Sequence, residues 1–184
     1  MLLLHVLLLM LNFYYQCMEQ LALFEEKISL TPKDMNKIGS QDINDILIEH
    51  LRNLLEGKCS SHGYVIPNSL ELLSRSIGHL DNGRYTGNIM FHIQAQGKVY
   101  NPSNGTEIIS EIKKKNKMGL YLIHNDAIRV LIPRDLHLGN EEFENLQVGE
   151  VIRVEIRKSR FQIRDNYILS VGIYKDKHTS ASNA

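Results

Sequence analysis

Apolar and polar residues alternate most clearly between Val151 and Arg157, where Ile152, Val154 and Ile156 interleave with Arg153, Glu155 and Arg157. A period of two puts one set on a buried face and the other in solvent, which predicts a half-buried strand. The same pattern predicts strands over Glu107–Lys113, Leu120–His124, Ile128–Ile132 and Tyr167–Tyr174. Turn chemistry separates them: the lysine run and Met118–Gly119 after the first, Pro133 after the third and Asp165–Asn166 before the last.

Five short strands in about seventy residues match a five-stranded OB-type barrel, a fold that commonly binds single-stranded nucleic acid. The preceding residues have a different character. A strand over Leu21–Leu30 is stopped by Thr31–Pro32, and a helix is predicted over about Gln41–Glu56. Ser40 is the expected cap, Asp42 and Asp45 favour the positive end, and Ile43, Ile46, Leu47, Leu51, Leu54 and Leu55 form the apolar face. Gly57 suits a left-handed stop. Strands follow over Gly63–Ile66 and Leu70–Ile77, then the glycine-bearing loop Gly78–Gly87 and a long strand from Ile89. In that strand Ile89, Phe91, Ile93, Ala95 and Val99 oppose His92, Gln94, Gln96 and Lys98. The expected class is α+β: an α/β domain over 18–103, a barrel over 104–175 and a disordered tail over 176–184.

The formal net charge is zero, which excludes the global basic field of a duplex binder. Residues 104–175 carry a slight basic excess, 12 Lys and Arg against 10 Asp and Glu. Lys113, Lys114, Lys115 and Lys117 crowd one hairpin, and Arg134, Arg153 and Arg157 lie on neighbouring strands as candidate phosphate contacts. Two cysteines exclude a disulfide framework and a four-cysteine zinc site, so no metal or cofactor is expected. No Ser/His/Asp order or phosphate-binding glycine motif marks an enzyme. Asp165 and the EEFE stretch at Glu141–Glu144 are read as solvated loops rather than metal ligands.

Residues 1–17 are apolar and uncharged. A signal peptide lacks its basic start here, a membrane anchor needs about 20 apolar residues, and the expected explanation is that translation starts at Met18. Asn104-Gly105-Thr106 matches a glycosylation acceptor, but Asn-Gly is expected here simply as a turn.

Four strings, ISLTP at Ile28–Pro32, LLEGKCSSHGYVI at Leu54–Ile66, VYNP at Val99–Pro102 and NKMGLYL at Asn116–Leu122, carry a resemblance. Together with the order of parts from Leu21 to Tyr174, they resemble the stalk-subunit family of archaeal and eukaryotic DNA-directed RNA polymerases. The resemblance implies a non-catalytic subunit with a truncated RNP-like α/β domain and an OB barrel. It implies three partners: the core polymerase subunits, a small helical stalk subunit and nascent single-stranded RNA. Docking on the core polymerase would use Gly57, Lys58, Cys59, Ser60, Ser61, His62 and Gly63, with part of the Gly78–Gly87 loop. Positions that carry stacking groups in such barrels fall on Met118, Tyr121 and Ile132, of which only Tyr121 has a ring. The implied location is a nucleus or, for a large-DNA-virus version, the viral transcription site, without membrane contact. The alternative is a free-standing OB-fold RNA-binding protein of translation or RNA decay.

Overall fold

A computed structural model describes residues 18–178 apart from 82, 84 and 85. The apolar segment 1–17, the end of the tail and three positions of the Gly78–Gly87 loop lie outside the described residues. The described chain is mostly β, and its first half is organised around β6 (Ile89–Tyr100). Strand β1 (Glu19–Leu30) pairs with β6 along its whole length on one side. The other side of β6 is shared in turn by β5 (His79–Leu80), β4 (Glu71–Arg75) and β3 (Gly63–Val65), with β2 (Cys59–Ser60) beyond β3, all antiparallel.

Alternation along β6 buries Phe91, Ile93, Ala95 and Val99 under helix α2 (Ile43–Leu55), as the pattern predicts. The helix contributes Ile46, Leu47 and Leu51, each nearly fully buried, and each such side chain stabilises the fold by about 1.5–3 kcal/mol. Its cap is Asp42 rather than Ser40: the Asp42 carboxylate accepts the Asn44 N–H, whereas the Ser40 hydroxyl donates to the Lys37 carbonyl. A one-turn helix α1 (Pro32–Met35), capped reciprocally by Thr31 and Asp34, precedes it and is too short for any periodicity to announce.

The second half is a closed barrel of β7 (Glu107–Asn116), β8 (Gly119–His124), β9 (Ile128–Pro133), β10 (Val151–Arg160) and β11 (Ile168–Lys177). The order β10-β11-β9-β8-β7, with β10 closing on β7 and only β9 and β11 parallel, is compatible with an OB-like barrel. Two strands outrun their expected ends. Strand β7 carries Lys113, Lys114 and Lys115 within it, leaving only Lys117 and Met118 in the turn, and β11 pairs Lys177 with Ile152.

The EEFE stretch is a short helix, α3 (Glu141–Asn145), that closes one end of the barrel with buried Phe143. Phe143 stacks on His137 at 4.4 Å. The His137 Nε2 accepts the Tyr174 N–H at 2.9 Å, so the ring proton sits on Nδ1 and is donated to the Pro133 carbonyl at 2.9 Å. A neutral imidazole thus ties the end of β9 to β11.

The two halves share a seam. Met18, Cys59 and Tyr64 pack with the barrel interior, Tyr64 stacks on Tyr100 at 6.4 Å, and the Asn125 amide donates to the Tyr100 hydroxyl. Cys59 N–H donates to the Asp165 carbonyl and Arg164 N–H donates to the Cys59 carbonyl, both at 2.7 Å. Strand β2 is therefore bridged to the loop between β10 and β11.

Close packing makes the cost of two substitutions calculable. Gly119 has φ +143°, and a Cβ there would lie 1.9 Å from the Ile132 carbonyl oxygen, whereas Gly39 has open space around it. Denaturant unfolding should show Gly119→Ala losing about 3 kcal/mol or more and Gly39→Ala staying within about 0.5 kcal/mol. Burial pushes the His124 imidazole below its ordinary value of 6.5, against a backbone hydrogen bond at Ile109. Because its folded value is depressed, its contribution is complete above pH 6.5 and lost as pH falls toward the folded value. His124→Leu should flatten the acid decline of stability just below that pH.

Candidate nucleic-acid interface

Strand register decides which outward side chains of the barrel meet. One row reads Lys114, Tyr121, Leu131, Val171 and Lys158 across β7, β8, β9, β11 and β10. A second reads Ile123, Arg129, Leu169 and Arg160. With strands about 4.8 Å apart, the longer row follows an arc of about 19 Å round the closed barrel. It sets half-exposed aromatic and apolar surface between Lys114 and Lys158, and the second row carries Arg129 and Arg160 beside Leu169. Arg129 lies over the Tyr167 ring, 3.6 Å from its centroid, which holds that ring at the edge of the second row. A hollow of about 440 Å³ lined by Arg160, Arg164, Tyr167 and Leu169, among others, prolongs this row.

Two irregularities create the face. Inward positions Ile108, Ser110 and Ile112 would send Lys114 inward by strict alternation, and Ile152, Val154 and Ile156 would do the same to Lys158. Register shifts between Ile112 and Lys114 and between Ile156 and Lys158 reverse this, since one extra residue in a strand changes the face of everything after it. Lys158 and Arg160 thereby join the site, and Arg129 and Tyr167, which regular alternation and the loop before β11 place there, complete it.

Ion pairs sort the cations named from sequence. Lys113 pairs with Glu111 at 2.8 Å, Arg134 with Glu144 at 2.8 Å, Arg153 with Asp176 at 3.6 Å and Arg157 with Glu155 at 3.0 Å. Lys175 also binds Glu155, and hydrogen bonding to Lys175 is the main reason the Glu155 carboxyl is held below its usual range. Arg153 stands between Ile109 and Asp176, outside the two rows. Lys115 turns away from them: its ammonium donates to the Glu144 and Leu146 carbonyls at 2.6 and 2.9 Å, satisfying the C-terminal end of α3. By contrast Lys114, Lys117, Lys158, Arg160 and Arg164 make no side-chain hydrogen bond or ion pair among the described residues. Tyr121 lies directly opposite Lys114, Met118 is exposed on the adjoining turn, and Ile132 is wholly buried and offers no surface.

The segment Gly57–Gly63 divides. Gly57 takes the left-handed conformation at φ +71° that ends α2. Cys59, Ser60 and Gly63 are buried, and the Ser60 hydroxyl donates to the Gly63 carbonyl and accepts the His62 N–H. Burial, reinforced by the Asp165 carboxylate, pushes the Cys59 thiol up to about 12, so it is no nucleophile. Ser61 and His62 are exposed, His62 standing edge-on to Phe24 at 5.8 Å, and the half-buried Lys58 ammonium donates to the Asn53 carbonyl.

Among the described residues no group of three His, Cys, Asp or Glu side chains is placed to hold a metal ion. Asp165 instead accepts the Gln162 N–H. No described helix is long and apolar enough to cross a membrane. No protein-family model matches the chain, and no curated protein matches it.

The two lysines of β7 separate structure from binding. Lys115→Met should cost about 1–2 kcal/mol in denaturant unfolding and leave uridine-oligomer affinity within about twofold. Lys114→Met should leave stability within about 0.5 kcal/mol and lower the salt slope of oligomer binding by about one.

Proposed function

We propose that the chain is a non-catalytic, single-strand-binding subunit of a DNA-directed RNA polymerase, of the stalk type, whose barrel holds nascent RNA. The observation that carries this is the pair of barrel rows, where Tyr121 and apolar side chains lie between Lys114 and Lys158, Tyr167 borders Arg129, and Lys114, Lys158 and Arg160 have no side-chain partner among the described residues. Rings offer every base a stacking surface and unpaired cations track phosphates, a combination that selects single strands without reading sequence. The barrel's strand order supports an OB fold, and one helix on an antiparallel sheet suits the truncated RNP-like unit implied by the string LLEGKCSSHGYVI. The activity belongs where transcription occurs, nuclear or viral.

One surface suits a protein partner, away from the cleft that Lys58 and His62 line. Docking on the core polymerase falls to the opposite end of the sheet, where Leu73, Ile77 and Leu80 are 52%, 82% and 64% exposed. Exposed apolar side chains within eight residues, on β4, β5 and the link between them, favour a protein contact. From Gly57–Gly63, the accessible side chains of Lys58, Ser61 and His62 can add to docking on the core polymerase.

The test is affinity purification of the tagged chain from its native host. Large polymerase subunits and one small helical protein should co-elute with the wild type, and the pair Ile77→Asp with Leu80→Asp should release the polymerase while retaining uridine-oligomer binding. Recovery of ribosomal or RNA-decay proteins without polymerase would establish the free-standing RNA-binding role instead.

A further inference from the structure

Arg164 is held at φ +74° in the left-handed region, where a residue with a Cβ is strained and Gly or Asn is at ease. The surrounding backbone enforces that conformation. Arg164 N–H and Cys59 N–H donate to the Cys59 and Asp165 carbonyls at 2.7 Å each. The Asp165 carboxylate accepts the Gln162 N–H at 2.7 Å, and Asp165 N–H returns a bond to the Gln162 carbonyl at 3.1 Å. None of these bonds uses the arginine side chain, which is exposed and has no hydrogen bond or ion pair among the described residues. The fold thus fixes the base of a long, unpaired cation at the seam between its two halves.

Arg164 also lines two hollows at once. One holds Arg160 and Tyr167 on the barrel, and the other holds Lys58, Ser61 and His62 beside the sheet. We infer that Arg164 is a phosphate-binding residue that carries a single nucleic-acid strand from the Tyr167 edge of the barrel across the seam to the cleft beside Lys58. This rests on the single-strand reading of the barrel. Glu25 and Glu26 also line the cleft, Glu25 accepting a hydrogen bond from the Gln94 amide, and their charge disfavours a phosphate beside them, while the Lys58 ammonium gives one donor to the Asn53 carbonyl and keeps two for the strand. A rigid guanidinium fork on an ordered backbone suits that handover, because little freedom is lost when it binds a phosphate.

Fluorescence anisotropy of the full chain with labelled uridine oligomers of about four and about twelve nucleotides, lengths within the range one OB barrel accommodates, tests the inference. Arg164→Gly suits the backbone and should preserve the thermal midpoint. It should leave the short oligomer within about twofold, weaken the long one about five- to tenfold and lower its salt slope by about one. Arg164→Lys, which keeps the charge, should recover most of the long-oligomer affinity. Unchanged binding of the long oligomer to Arg164→Gly would overturn the inference, and an equal loss on both lengths would confine Arg164 to the barrel and overturn the crossing. A wild-type chain that binds neither oligomer would instead remove the single-strand reading itself.

Discussion

Two backbone hydrogen bonds at Cys59 are the constraint on which the arrangement of surfaces depends. They set the β10–β11 loop alongside β2, so a segment that would otherwise be an exposed hairpin end is held by a pair of backbone bonds. Asp165 and Gln162 shape the loop from within, and the Tyr64–Tyr100 stack and buried Met18 fill the space beneath the seam. Tyr167 then leaves the loop where Arg129 can cover its ring. The order of cause runs from β2 through the loop to the two rows of the barrel, and it makes Cys59 an architectural residue through its backbone.

The second organising fact is how charge is distributed in a chain whose net charge is zero. Most exposed ion pairs contribute less than about 1 kcal/mol to stability, so their consequence for function is which cations they withdraw. Glu155 withdraws Arg157 and Lys175, Glu144 withdraws Arg134, and the carbonyls ending α3 withdraw Lys115. Within residues 104–175, the cations with no side-chain partner among the described residues lie on the two rows, on the adjoining β7–β8 turn and at the seam. A neutral protein can thereby present a local cationic track, short enough that its hold on a phosphate backbone is modest and strongly salt-dependent.

Much of the fold was legible in the sequence because burial enforces periodicity. The alternation of β6, the apolar face of α2 and the inward triad Ile152, Val154 and Ile156 all reflect one buried side. Legibility failed where the period breaks. The register shifts beside Lys114 and Lys158 changed which cations face outward, and α1 and α3 are shorter than one detectable helical repeat. The hairpin from Cys59 to Gly63 reads as a free turn because Arg164 and Asp165, which bond Cys59, lie more than a hundred residues away. Composition signalled a basic bias in the second half; which of those cations were already neutralised depended on contacts between strands.

In the proposed function, Tyr121, Tyr167, Lys114, Lys158 and Arg160 on the barrel bind single-stranded nucleic acid through stacking and phosphate contacts. The most direct measurement is a salt titration of wild-type binding to a uridine oligomer and to a duplex of equal length. The account predicts measurable affinity for the single strand, a log–log salt slope of about two to four negative units, and markedly weaker duplex binding because paired bases expose no face to the rings. Equal affinity for the duplex, or no salt-dependent binding of either, would contradict it.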